Sequence, residues 1–148
     1  MNSLCEFSVK EAQDGDELSH NNVFIAPGGK QMKVCKKDEK LVIKITDDDP
    51  VNRHRPSVDY LFNSLVSCGP ERITAALLTG MGEDGAKGML NLKNAGASTI
   101  AQDEQSCVVY GMPKQAAKLG AVSKVCSLAD IACQFLKMSK TDKLSKAS

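Results

Sequence analysis

No tryptophan occurs among the 148 residues, and aromatic residues of all kinds make up only 4%. A stacking platform for bases needs more rings than that. Neither charge is in excess: 19 Lys and Arg face 18 Asp and Glu, for a net charge of +1. Polyelectrolyte attraction is therefore no driving force, and neither nucleic acid nor a membrane surface is expected as a partner. No apolar run reaches the ~18 residues that a membrane helix needs, so no membrane insertion is expected. The opening stretch MNSLCEFSVKEAQDGDE has no basic start followed by an apolar block, so it does not read as a signal peptide. Histidine is scarce, with only His20 and His54, which excludes a His-rich metal centre. The six cysteines (Cys5, Cys35, Cys68, Cys107, Cys126 and Cys133) form no C-x-x-C pair. They read as reduced, small core residues of a cytoplasmic protein.

What is present is an ordinary globular composition, 42% hydrophobic and 25% charged. The length fits one domain, assigned to residues 1–138, followed by a polar tail over 139–148. The first part is β-rich. FSVKEA and NVFIAP read as strands, and QMKVCK and LVIKIT as a hairpin across KDEK. After Pro56 the rhythm becomes helical: Ser57 is a good N-cap, and Val58, Leu61, Phe62 and Leu65 follow at helical spacing. ITAALLT is a continuous apolar run, as a buried parallel strand requires. It is followed by a helix over AKGMLNLKN, a strand STIAQ, a helix over 112–119, a strand AVSKVC and a helix LADIACQFLKM. DEQSCVVYG is ambiguous between loop and strand. This alternation predicts an α/β fold with a doubly wound, mainly parallel sheet and a β-hairpin near the N-terminus.

In such sheets, sites sit beyond the carboxyl ends of strands, which singles out the loop Thr79-Gly80-Met81-Gly82-Glu83-Asp84-Gly85. Three readings of it compete. Gly80, Gly82 and Gly85 have dinucleotide-fingerprint spacing, with Asp103 at the end of the next strand as a ribose-binding acid. Glu83 and Asp84 oppose that, since they would crowd two carboxylates against a pyrophosphate. The loop could instead serve hydrolysis, with Asp84 orienting a histidine and a loop N–H binding an oxyanion. The third reading makes Asp84 the N-cap of the following helix. Ser57 is explained as a helix cap rather than a nucleophile. His54, Arg53 and Arg55 read as loop anchors that pair with Asp47, Asp48 or Asp49, and that acidic run reads as a solvated turn rather than a metal site.

Five motifs in order, IAPGGKQM (25–32), PVNRHRPSVDYLF (50–62), LLTGMGEDGAKGM (77–89), AGASTIAQDEQSCVVYGMP (95–113) and GAV (120–122), resemble the catalytic domain of the CheB-type chemotaxis protein-glutamate methylesterases. The resemblance runs from about residue 2 to residue 136. It implies hydrolysis of glutamate methyl esters on chemoreceptors, deamidation of receptor glutamines, no cofactor or metal, and a Ser–His–Asp triad. The triad Asp carries over to Asp84, and the oxyanion-binding backbone N–H carries over to Met81. The family's nucleophilic Ser and catalytic His lie in segments that precede Met1, and Gln31 stands where the family commonly has His.

The resemblance therefore predicts a truncated methylesterase domain, inactive alone. A complementary chain carrying the missing N-terminal half is the implied partner, besides the receptors. A receptor- or enzyme-binding fragment is the alternative. The absent strands would lie mid-sheet, between the N-terminal strands and ITAALLT. Exposed strand edges, exposed apolar faces and low stability are expected there.

Overall fold

The computed structural model describes residues 6–144. Strands β1 (Ser8–Glu11) and β2 (Asn22–Ile25) pair in parallel, Ser8 opposite Asn22. Strands β3 (Gln31–Lys37) and β4 (Lys40–Thr46) form the expected hairpin. Its two-residue turn places Asp38 and Glu39 at φ 48° and 66°, the left-handed pair that a right-twisted hairpin requires. Helix α1 (Val58–Leu65) follows, then β5 (Thr74–Leu77), α2 (Ala86–Asn94), β6 (Ser98–Gln102), α3 (Met112–Lys118), β7 (Lys124–Cys126) and α4 (Leu128–Leu144). Strands β5, β6 and β7 form one parallel sheet in that order.

The α/β class and the parallel sheet are thus as expected. The last strand is shorter than AVSKVC suggests, and α4 runs six residues into the segment assigned to the tail; residues 145–148 lie outside the described residues.

Strand β6 buries Thr99, Ile100, Ala101 and Gln102 in succession, so both of its faces are covered. Helices α2 and α3 pack together and onto β6, while α4 packs on β5 and β6. The main core joins Phe62 of α1 to Ala75 and Leu77 of β5, Met89 and Leu92 of α2, and Ala116 of α3. A smaller core beneath the hairpin gathers Ala12, Met32 and Ile43, with Phe24 and Leu61 against it. Leu61 touches both cores, so α1 is the bolt between them.

Strands β2 and β5 belong to different sheets, with no ladder between them. Strand β2 has the apolar sequence of a sheet interior, yet its alternate residues Val23 and Ile25 remain 42% and 41% exposed, and Leu78 at the end of β5 is 41% exposed. The cysteines depart from expectation. Cys35, Cys68, Cys107 and Cys126 are free but only half-buried, and Cys133 is exposed. Cys35 sits on β3, Cys68 and Cys107 in loops, Cys126 at the end of β7 and Cys133 on α4, and none of them belongs to either core cluster. Cys5 lies outside the described residues.

Candidate active site

The loop after β5 is held from two sides. On one side, Gly80 N–H donates to Val109 O at 3.0 Å, and Gly80 O accepts from the N–H groups of Gly111 and Met112 at 3.1 and 2.9 Å. Thr79 N–H donates to Gln102 Oε1 at 2.8 Å, and Thr79 Oγ1 accepts from Val109 N–H at 2.8 Å. The ambiguous segment DEQSCVVYG is therefore a brace for the site loop. It lies so close that a Cβ on Gly111 would fall 2.5 Å from Gly80 O and 3.1 Å from Gly82 N. Both neighbours are backbone and cannot swing aside. Gly111→Ala is expected to cost about 2 kcal/mol through overpacking, read as a lowered urea midpoint at unchanged m-value.

On the other side stands Asp84, 4% exposed. It does not cap α2. The N-cap of α2 is Gly85, at φ 92°, where any side chain would strike Val58 and Leu77. The Asp84 carboxylate instead crosses to the start of α1. Its Oδ2 accepts from Val58 N–H at 2.7 Å. Its Oδ1 accepts from Ser57 Oγ at 2.7 Å, Asn52 Nδ2 at 2.9 Å and Asp59 N–H at 3.3 Å. The positive end of a helix and the orphan N–H groups of its first turn are natural partners for an anion. Burial pushes the Asp84 carboxyl up. The hydrogen bonds from Ser57, Asn52, Val58 and Asp59 outweigh it and hold the group below the ordinary carboxylate range. Oδ2 has a single donor, so it keeps room to accept from one more.

Ser57 is the α1 cap as expected. Its Oγ accepts from Tyr60 N–H at 3.3 Å, and its own N–H donates to buried Gln31 Oε1 at 2.9 Å. Gln31 Nε2 donates to the carbonyls of Asp49 and His54, at 3.0 and 3.2 Å, which fixes the 49–57 segment to β3. Asn52 is a site residue that the sequence reading missed. Its Nδ2 donates to Asp59 Oδ2 at 2.6 Å as well as to Asp84, and Asp59 Oδ1 accepts from Gly88 N–H at 2.6 Å. The signal for it was present: Val51 and His54 flank a two-residue turn, and Asn is the residue best suited to its first position.

The arginine pairing is corrected. Asp47 pairs with Lys30, and Asp48 takes the Tyr60 hydroxyl and Lys33. Arg55 forms no ion pair among the described residues; it donates to the Asp47 carbonyl at 3.5 Å, and its charge adds to the hydrogen bond and charge of Lys30 in holding the Asp47 carboxyl below the ordinary range. The acids are taken by lysines because β3 and β4 bring those side chains to the same edge. Among the described residues no acidic, His or Cys cluster could hold a metal.

Asn52, Arg53, His54, Gly82, Glu83 and Asp84 line an open depression of about 530 Å³. Met81, at the tip of the loop, is 80% exposed, and its N–H donates to none of the described residues. The dinucleotide reading loses its supports. Gly85 is accounted for by its left-handed backbone and its packing, and the Asp103 carboxylate accepts from Ser106 N–H and Oγ at 2.9 and 2.5 Å.

A three-strand parallel sheet flanked by helices thus carries a buried carboxylate on the loop at a strand's carboxyl end, the place where α/β sheets carry their sites. The family model for CheB methylesterase matches residues 1–135, and the chain belongs to that family. It is 49% identical over 136 residues to the protein-glutamate methylesterase/protein-glutamine glutaminase of Salmonella typhimurium, covering 92% of this chain and 39% of that protein. It is also 49% identical over 128 residues to the protein-glutamate methylesterase/protein-glutamine glutaminase 2 of Hahella chejuensis, covering 86% and 35%. The crystal structure of the Thermotoga maritima CheB methylesterase catalytic domain superposes with a TM-score of 0.89 at 34% identity, covering 93% of this chain and 72% of that one. The chain thus spans little more than a third of the curated relatives it matches. No helix among the described residues is long and apolar enough to cross a membrane.

Proposed function

We propose that these residues supply the acid and one oxyanion donor of a protein-glutamate methylesterase and glutaminase site that acts on chemotaxis receptors in the cytoplasm. The nucleophilic Ser and the catalytic His come from a further segment, in the same polypeptide or a separate one. The observation that carries this reading is Asp84: a buried, ionised carboxylate that lines an open depression and retains acceptor capacity. A carboxylate of that kind accepts the Nδ1–H of an imidazole, fixes its tautomer and stabilises the imidazolium formed during acyl transfer. The Met81 N–H, three residues earlier on the same loop and without a partner among the described residues, is available to the oxyanion of a tetrahedral intermediate. The gap between β2 and β5 is the natural seat for the completing segment. Two further parallel strands there would pair both free edges and cover Val23, Ile25 and Leu78.

The alternative, a fragment that binds receptor or enzyme without hydrolysis, draws on the same exposed gap. The two readings separate in one assay. The purified chain is mixed with a polypeptide corresponding to the part of a relative's catalytic domain that it does not match, and methanol release from methylated receptors is followed. The chain alone is expected to give none and the mixture to give turnover. A stable mixture without turnover supports the binding fragment.

A further inference from the structure

We propose that Arg53 is a specificity-determining residue that binds a carboxylate side chain of the protein substrate, flanking the neutral glutamyl ester or glutamine that enters the depression over Asp84. The inference rests on the hydrolytic reading above and adds the acidic character of the substrate segment.

Arg53 occupies the second position of a two-residue turn. Asn52 and Arg53 have φ 52° and 67°, and the turn is closed by Val51 N–H to His54 O at 3.1 Å and His54 N–H to Val51 O at 2.8 Å. Asn suits the first position. The second is the place for Gly, and a branched, bulky or long side chain there carries a conformational penalty. Such a penalty borne at the rim of a site points to use of the side chain.

The turn is also anchored. Asn52 ties it to Asp84 and Asp59, so the backbone that carries Arg53 is fixed relative to the carboxylate beneath. Yet the Arg53 guanidinium makes no hydrogen bond or ion pair with any described residue. On the neighbouring hairpin surface, by contrast, Lys30, Lys33, Lys40 and Lys44 each pair with an acid. Arg53 is a cation left without an acidic partner among the described residues, and it lines the depression.

Glu83 lines the same depression and is exposed. Its charge disfavours a carboxylate deep in the site and favours an uncharged ester or amide there. A substrate carboxylate is left with the Arg53 side, where a planar guanidinium can take it with two parallel hydrogen bonds.

The test uses this chain and labelled helical peptides read by fluorescence anisotropy. One peptide carries glutamates at i and i+4 around a central glutamine; the other has glutamine at every such position. At low salt the wild-type chain is expected to bind the glutamate peptide about tenfold more tightly, with the preference shrinking as salt screens the pair. Arg53→Gly and Arg53→Gln should both abolish the preference. Arg53→Gly should also leave the urea midpoint unchanged or raised, because glycine suits the turn. A retained preference in both variants overturns the proposal, as does a wild-type chain that binds neither peptide or both equally. If the preference depends on Arg53 while the completed domain fails to release methanol, the recognition role stands and the hydrolytic reading falls.

Discussion

Replacing Asp84 with Asn is expected to destabilise the chain by about 3 kcal/mol, well above the ~1 kcal/mol of an ordinary helix cap. The difference comes from geometry. The carboxylate accepts from three donors at the start of α1 and from Asn52 in the turn before it, and it ties the site loop to the helix that bolts the two cores. An Asn keeps one acceptor oxygen and turns an NH₂ toward donors. At least one buried donor then loses its partner, which costs about 1–3 kcal/mol in addition to the lost charge-assisted bonds.

The pH dependence follows from the same contacts. The folded pKa of Asp84 lies below its unfolded value, so between the two the unfolded chain binds more protons than the native one. The stabilisation is complete above the unfolded value, near pH 4, and is lost as pH falls through the folded value. Urea unfolding between pH 7 and pH 2 should show a steeper acid loss for wild type than for Asp84→Asn. Parallel curves would show that the ionised carboxylate contributes nothing to the fold.

This clamp marks the limit of what the sequence discloses. Local features were legible. The Asp38-Glu39 turn is a two-residue break between alternating runs, and Ser57 sits one residue before an amphipathic repeat. The site loop follows a continuous apolar strand and precedes a helix, which is where α/β sheets place their sites. The destination of Asp84 was not legible. Spacing offered the helix next in sequence, whereas the carboxylate crosses to a helix 26 residues earlier, and only packing of α1 against α2 brings the two together. The brace at Val109 and Gly111 was hidden for the same reason. Its bonds run to a loop about 30 residues away, so DEQSCVVYG carries no periodicity of its own. The cysteines misled because an apolar neighbourhood in sequence was taken for a buried one in space.

The second large effect concerns chemistry. Once the gap between β2 and β5 is filled and the imidazole is supplied, Asp84→Asn should reduce kcat for ester hydrolysis by about 10³–10⁴, the loss that follows when an imidazole is left in the wrong tautomer. Because a triad works as a unit, KM should change far less. The pH profile should change with it, since the imidazolium formed in the transition state loses its counter-charge.

The most direct measurement compares wild type and Asp84→Asn in that completed domain, at saturating methylated receptor and with assembly verified by gel filtration. Methanol release falling by about three orders of magnitude or more, with assembly intact, is the predicted result. Equal turnover by the two assembled forms would contradict the account and reduce Asp84 to a clamp on α1.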